Sequence, residues 1–316
     1  MERLFEDVRA HLPSDIAVEV QTNAHVSQGV LGRFSDTVQA FQHRGPVNHV
    51  LGDVHYLTWL LPTARTILTV HDCASLERLQ GWRQRVLWLL WFWLPAKKAA
   101  RITVVSEFSR DSLLKWVDYP SERIDVIPPP VSEEFVPSEP RARGDRARLL
   151  QIGTTPNKNV PRVLQALDGL PVKLVIVGVV DDAMRGQLEA SGVDTEVLVG
   201  LSREAMVAEY AKADAVLLAS TYEGFGMPIV EAQAVGRPVV TSNVCSMPFA
   251  AGEAACFVDP FDVADIRRGV QRVIEDDAYA RELVEAGFEN TKRFAPEKIA
   301  AQYAAIYRAL ADDAAP

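Results

Sequence analysis

The stretch Ser220–Glu231, STYEGFGMPIVE, decides how the chain is read. It follows the apolar run Ala215–Ala219, which reads as a buried parallel strand, and leads into Ile229–Val235, which reads as the first turns of a helix. Its glycines therefore fall at a strand-to-helix turn, where backbone N–H groups lack partners and point at whatever occupies the site. Glu223 and Glu231 stand eight positions apart, with Gly224, Phe225 and Gly226 after the first. An acidic side chain beside a bare amide loop suits a ligand carrying both hydroxyls and phosphates.

Working outward, the same alternation recurs. Leu149–Ile152, Val172–Val177, Thr195–Val199 and Val239–Val240 read as strands separated by helix-length segments, and the pattern is helical from Val263 onward. Continuous apolar strands alternating with amphipathic helices predict a parallel sheet covered on both faces. Upstream, Ile16–Val20, Val47–Leu51, Thr66–Val70, Arg101–Val105 and Asp125–Ile127 form a second set of strand candidates, stopped by Pro128–Pro129–Pro130. Ser106, just before SEFSRDSLL turns helical, is a natural N-cap. Between them VSEEFVPSEPRARGDRAR, residues 131–148, is rich in proline and charge and carries no amphipathic period, which marks a domain boundary. The expected organisation is an α/β chain of two doubly wound Rossmann-like domains, residues 1–140 and 141–295, facing across a cleft. A last helix, 296–316, is expected to cross back to the first domain. Ligands of such sheets sit at the carboxyl ends of the strands.

Composition narrows the function. The 316 residues are 48% hydrophobic and 24% charged, as in a globular protein with sizeable cores. A net charge of −9 and a pI near 5.3 argue against nucleic acid as the main partner, since phosphate backbones require a basic face. Cys73, Cys245 and Cys256 have no metal spacing and read as reduced, buried small hydrophobes of a cytosolic protein. The opening MERLFEDVRAHLPSD is charged and has no apolar leader region, so secretion is not expected.

Gly81–Lys98, GWRQRVLWLLWFWLPAKK, stands apart. It holds four of the six tryptophans, flanked by Arg83, Arg85, Lys97 and Lys98. Its uncharged run Val86–Leu94 is nine residues long, against the ~20 that a membrane span requires. Two readings stay open: a helix in a membrane interface making peripheral contact through Trp82–Lys98, or a helix packed on the N-terminal sheet.

Among polar candidates, Gly153–Thr154–Thr155–Pro156–Asn157–Lys158 follows a strand and precedes a helix, so amides and one ammonium could meet a diphosphate. Neither GxxxxGK[ST] nor GxGxxG after the first strand is present, which disfavours P-loop and dinucleotide chemistry. His71–Asp72 closes one strand, and His49, Asp53 and His55 cluster at a neighbouring strand end. Each reads as a hydrogen-bonded strand end or as a cleft group for a sugar or phosphate. No close His/Asp/Glu spacing calls for a metal.

Taken together these residues resemble the retaining glycosyltransferases of family 4, which have the GT-B fold. EGFGMPIVE at 223–231 is similar to their Glu-x7-Glu motif, and residues 211–262 look like their donor-binding core. GTTPNKN at 153–159 looks like their phosphate turn, TVHDCASL and VVSEFSRDSL like their N-terminal strand ends, and VIPPPV like their inter-domain step. The resemblance implies a nucleoside-diphosphate sugar as donor, a glycan or lipid-linked acceptor, and no metal or other cofactor. It implies that Glu231 meets the ribose hydroxyls, Glu223 the donor sugar, and Lys158 the departing diphosphate. The amides of Gly224, Phe225, Gly226 and Met227, with Gly153 and Thr154, would hold sugar and phosphates, and His71 would face the donor sugar. Asp53, His55 and Asp72 are candidates for the acceptor side. Fixed donors aimed at charge building on a leaving phosphate lower the barrier. Such a protein would be cytoplasmic, at most peripheral on the inner membrane face, and act on cell-envelope polysaccharide.

Three departures stand out. The arginine that the family commonly places before the phosphate-turn lysine is replaced by Thr154, Thr155, Pro156 and Asn157, leaving Lys158 alone or Arg203 to reach in. The N-terminal glycine loop is represented only by Gly29 and Gly32 in SQGVLGRF, and Pro130 stiffens the inter-domain step. A non-catalytic GT-B scaffold that binds a sugar nucleotide or a partner enzyme is the alternative reading. The Glu-x7-Glu spacing disfavours an epimerase or a phosphorylase.

Overall fold

The computed structural model describes residues 2–23, 29–139 and 144–312. The chain divides into two compact units, Met1–Pro130 with Pro296–Pro316, and Val131–Ala295. The expected boundary at 140/141 thus moves upstream to Pro130/Val131. Residues 131–139 belong with the second unit because Phe135 is buried there against Tyr210, ring centroids 5.4 Å apart.

The first unit carries four parallel strands in the order β1 (Asn48–Val50), β2 (Thr66–Val70), β3 (Arg101–Val104) and β4 (Ile124–Val126). All five residues of β2, TILTV, are buried, as expected of a strand covered on both faces. Its helices are α1 (Glu2–Ala10), α2 (Val30–Gln42), α3 (Ala74–Arg78), α4 (Gly81–Leu87), α5 (Leu94–Lys97) and α6 (Glu107–Trp116). Ser106 caps α6, its Oγ accepting from Ser109 N–H at 3.1 Å. Ile16–Val20, expected as the first strand, joins no sheet, and Val18 and Val20 are exposed. Among the described residues the segment has no neighbouring strand to pair with, and a single strand is not stable alone. Gly29 precedes α2 with φ 78°, and Gly32 lies inside that helix, so neither forms a loop after a strand; Ser27 and Gln28 of that candidate lie outside the described residues.

The tryptophan segment is packed on the first unit along its later part and exposed at its start. Beyond α4 it continues as a π-helical turn, Trp88–Trp93, into α5. Phe92, Pro95 and Ala96 are buried in the core of this unit, with Trp88 and Trp91 packed on it. Pro95 has no N–H to offer the carbonyl of Trp91 four residues back, and His55 Nδ1–H reaches that carbonyl at 2.6 Å. Trp88 and Trp91 indoles donate to the carbonyls of Trp116 (2.7 Å) and Asp53 (2.9 Å). The leading end is different: Trp82 is 71% exposed, Val86 46% and Leu89 42%. Among the described residues no helix is long and apolar enough to cross a membrane.

The second unit is a six-stranded parallel sheet of β5 (Ala147–Ile152), β6 (Val172–Val177), β7 (Asp194–Leu198), β8 (Ala215–Leu218), β9 (Val239–Ser242) and β10 (Cys256–Val258). Cys256–Val258 adds a strand that the sequence reading did not separate from its surroundings. The spatial order is β10-β9-β8-β5-β6-β7, so successive strands run one way from β5 to β7 and then the other way from β8 to β10. Seven further helices cover it: α7 (Val160–Leu167), α8 (Asp182–Ala190), α9 (Arg203–Lys212), α10 (Met227–Val235), α11 (Met247–Ala251), α12 (Val263–Glu275) and α13 (Asp277–Thr291). Leu149, Leu174, Leu217 and Val240 of the sheet pack with Val163 of α7 and Val270 of α12 in its main core. The last helix, α14 (Pro296–Asp312), belongs to the first unit, where Ile299 and Tyr303 pack with Val8, Ile67 and Ile127.

Candidate active site

The reversal of strand order lies between β5 and β8, which pair at Leu149↔Ala215 and Leu150↔Val216. Chains leaving adjacent strands toward opposite faces open a crevice at their carboxyl ends, where α/β sheets hold ligands. The two loops here are Gly153–Asn159 after β5 and Ala219–Gly226 after β8. They are stitched together: Thr221 N–H donates to Asn157 O (2.8 Å) and Asn157 Nδ2 to Tyr222 O (2.9 Å). Asn159, left-handed at φ 61°, donates from Nδ2 to Ala219 O (3.0 Å) and Pro260 O (2.7 Å).

On this frame Lys158 and Glu223 meet, with Nζ to Oε1 at 2.6 Å and both side chains 14% exposed. Ser220 Oγ donates to the same carboxylate oxygen at 2.7 Å. Gly153 makes the turn at φ 93°, and a Cβ there would stand 2.8 Å from Lys158 Cε. The lysine stem therefore lies along the glycine, which has no side chain to displace it. Thr154 is committed to the neighbouring loop through Oγ1–H to Val179 O (2.6 Å).

The glycine-rich turn ends at Gly226, φ 101°, which precedes α10. At the start of α10 the amide on offer is that of Met227, because Pro228 has no N–H and Ile229 N–H donates to Gly226 O at 3.0 Å. Phe225 contributes backbone only, because its ring is buried edge-on against Phe294 at 5.4 Å. Ser246 Oγ fixes the turn, 2.7 Å from Glu223 O and 3.0 Å from Phe225 O. Seven of the nine residues of α10 are buried, and Glu231 is the one ionisable group on it. Its Oε2 accepts from the fully buried Tyr210 at 2.5 Å. Loss of hydration raises the Glu231 pKa, opposed by the Tyr210 hydrogen bond and by the charges of Arg203 and Lys158. Burial, then the Glu231 charge, push the Tyr210 phenol well up, so it stays a donor. Arg203, the candidate second cation, is paired with Glu134 and lies 5.0 Å from the ring of Phe135.

In the first unit, His71 follows β2, and its carbonyl accepts from Ser109 Oγ at 2.9 Å. Its Nε2 is buried with no hydrogen-bond partner among the described residues. Burial lowers its pKa to about 4 against the pull of Asp53, so the ring is neutral near pH 7. Asp72 accepts from Ala74 N–H at 2.8 Å, fixing the start of α3. His55 is buried, its Nδ1–H meets Trp91 O, and burial lowers its pKa too. His49 is held by Tyr307 Oη (2.8 Å) and Thr69 Oγ1 (2.7 Å), and burial lowers it to about 3. Asp53 is exposed. Ser220, Ser246, Asn157, Asn159 and Tyr210 escaped the sequence reading. Only the serine and asparagine positions beside the two glycine turns offered a signal.

The family described as "Glycosyl transferases group 1" matches residues 132–290, and "Glycosyltransferase Family 4" matches residues 48–135. The chain is 31% identical over 233 residues to the O-antigen chain mannosyltransferase B of Escherichia coli, an alignment covering 67% of this chain and 61% of that protein. It is 30% identical over 230 residues to the MMP alpha-(1->4)-mannosyltransferase of Mycolicibacterium hassiacum, covering 67% of this chain and 54% of that one. The chain thus spans between half and two thirds of the length of these relatives. Among solved structures, sucrose-phosphate synthase from Thermosynechococcus elongatus superposes with a TM-score of 0.78 at 18% identity, covering 98% of this chain and 92% of that one.

Proposed function

The chain belongs to the family-4 glycosyltransferases, with the two parallel-sheet domains of the GT-B fold, and from that premise we propose that it moves a sugar from a nucleoside-diphosphate donor to a glycan or lipid-linked acceptor with retention at the anomeric carbon. The observation that carries this reading is the 2.6 Å contact of Lys158 with Glu223 at the strand-order reversal. A diphosphate arriving at this crevice competes for the ammonium. The exchange turns Lys158 toward phosphate and leaves Glu223 Oε1 for a hydroxyl of the donor sugar. Glu231, with one oxygen taken by Tyr210, offers the other to the ribose hydroxyls.

Transfer breaks the bond from the anomeric carbon to the β-phosphate oxygen, and charge builds on that oxygen. The Lys158 ammonium and the Met227 amide at the positive end of α10 are fixed donors for that charge, which is the condition for electrostatic catalysis. The acceptor oxygen bonds the same face of the carbon, and its proton passes to the departing phosphate. These groups supply the counter-charge without a divalent ion, so activity is expected to persist in excess EDTA. His71, with a neutral ring and an unpartnered Nε2, is available to a substrate hydroxyl. The exposed end of the tryptophan segment favours peripheral contact with a membrane carrying the acceptor.

The test is a thermal-shift panel of nucleotide sugars, led by mannosyl donors because the two relatives are named mannosyltransferases. The best donor is then assayed for hydrolysis and transfer, and the anomeric configuration of the product is read by NMR. A donor that stabilises the chain but is never hydrolysed or transferred would leave the scaffold reading standing. An inverted product would overturn retention.

A further inference from the structure

On the first unit, an open pocket of about 420 Å³ lies where α2, the loop after β1 and the tryptophan segment meet. Arg33, Asp53, Trp82, Arg83, Val86 and Trp91 line it. The chain as a whole carries a net charge of −9, yet here two guanidiniums face a single carboxylate. Arg33 lies over the Trp91 ring at 4.5 Å and Arg83 over the Trp82 ring at 5.6 Å. A guanidinium stacked on an indole is held by its face, and its planar fork of N–H donors matches phosphate oxygens. Among the described residues Arg83 has no carboxylate partner.

Exposed apolar side chains lie on the same elements as this cationic pocket. Trp82, Val86 and Leu89, spaced by four and three residues, are exposed along one side. Val30, Leu31 and Phe34 are exposed on α2 beside Arg33. Large apolar side chains gathered on adjoining elements mark a binding surface. The Asp53 carboxylate confines an anionic head to the arginine side and can accept from a hydroxyl next to it.

We propose that this pocket binds the phosphate headgroup of a lipid-linked acceptor, with Arg33 and Arg83 on the phosphate and Trp82, Val86 and Leu89 along the first carbons of the hydrocarbon chain. The inference rests on the glycosyltransferase reading for its purpose, but the pocket and its ligand chemistry are tested without turnover.

Monomeric farnesyl phosphate, farnesol and inorganic phosphate are titrated into the full chain by calorimetry, with tryptophan fluorescence in parallel because two indoles line the pocket. Farnesyl phosphate is expected to bind at least tenfold more tightly than either of the others. Arg33→Ala with Arg83→Ala should remove that advantage while changing farnesol affinity less than threefold, and Trp82→Ala should weaken both amphiphiles. Should the double variant unfold, Arg83→Gln alone, at an exposed position, should still lower farnesyl phosphate affinity at least threefold. Equal affinity for farnesol and its phosphate overturns the proposal. So does binding to anionic vesicles with none to the monomeric phosphate, since that is surface adsorption. A nucleotide-sugar thermal shift on the unaltered chain reports the donor reading separately, so amphiphile binding without a donor shift would sink that reading and spare this pocket.

Discussion

Both units place histidines, lysines or carboxylates at the carboxyl ends of parallel strands, yet the two ends differ in what the side chains do. In the second unit the strand order reverses between β5 and β8, and two loops leave the sheet there with Lys158 and Glu223 in contact. In the first unit β1 to β4 follow one another without reversal. His49 and His55 are absorbed there by Tyr307, Thr69 and Trp91 O, and His71 Nε2 is left without a partner among the described residues. A polar residue at a strand end is therefore not by itself a site. The reversal opens the crevice, and the crevice decides which polar groups face a ligand and which become packing.

The comparison breaks first at Lys158 and Glu223. Lys158→Ala and Glu223→Ala are each expected to lower donor-dependent turnover by roughly 10²–10³-fold, the range for removing one fixed transition-state donor. Both side chains sit at loop ends and not in a core, so circular dichroism and the melting temperature should change little. Near-normal turnover in either variant would remove these residues from the chemistry.

The first unit should respond to pH through two buried histidines. His71, lowered to about 4, and His49, lowered to about 3, bind protons less readily folded than at their ordinary value of 6.5. The unfolded chain takes up protons below pH 6.5 while the folded rings stay neutral. Their contribution is thus full above pH 6.5 and is lost as pH falls toward 4, on the order of 3 kcal/mol for His71. Denaturant melts at pH 7 and pH 5 should show the loss, and His49→Gln should reduce the pH dependence. A melt insensitive to pH over this range would mean that these rings are not held neutral by burial.

Gly153→Ala probes the second unit more gently. A side chain at φ 93° is strained by about 1–2 kcal/mol, and its Cβ would stand 2.8 Å from Lys158 Cε. The backbone strain should lower the melting temperature by a few degrees. The displaced lysine should lower turnover about tenfold with donor affinity less affected. Unchanged turnover would mean that the lysine stem need not lie along the glycine.

Much of the second unit was legible because its signals are local. Ala215–Ala219 followed by a glycine-rich turn and an apolar helix can be read from neighbouring residues alone, and the strand pattern from Leu149 onward follows the same logic. What escaped depends on tertiary partners. Nothing in AEYAKAD marks Tyr210 as the group under Glu231, since its hydroxyl meets a carboxylate twenty-one positions away in sequence. His55 looked like a site residue because histidines at strand ends often are. Its contact with Trp91 O, where Pro95 supplies no N–H, is visible only when the two segments lie together. Ile16–Val20 failed for the same reason in reverse, as a strand-like pattern with no sheet to join. The meeting of Lys158 with Glu223 joins turns 65 positions apart, and only the strand order brings them together.

Tyr210→Phe makes the smallest change and separates two roles of the corner. Removing the hydroxyl costs Glu231 one hydrogen bond, worth about 1 kcal/mol, so donor binding should weaken about fivefold while the chemical step in saturating donor is nearly unchanged. The same bond lowers the Glu231 pKa against the burial that raises it. Without it the carboxyl takes up a proton at higher pH, and donor binding that requires the ionised form should fail earlier as pH falls. The acidic limb of donor affinity is therefore expected to move to higher pH in the variant. A parallel drop in affinity at all pH values would mean that Tyr210 only packs, and Glu231 would then owe its ionisation to Arg203 and Lys158.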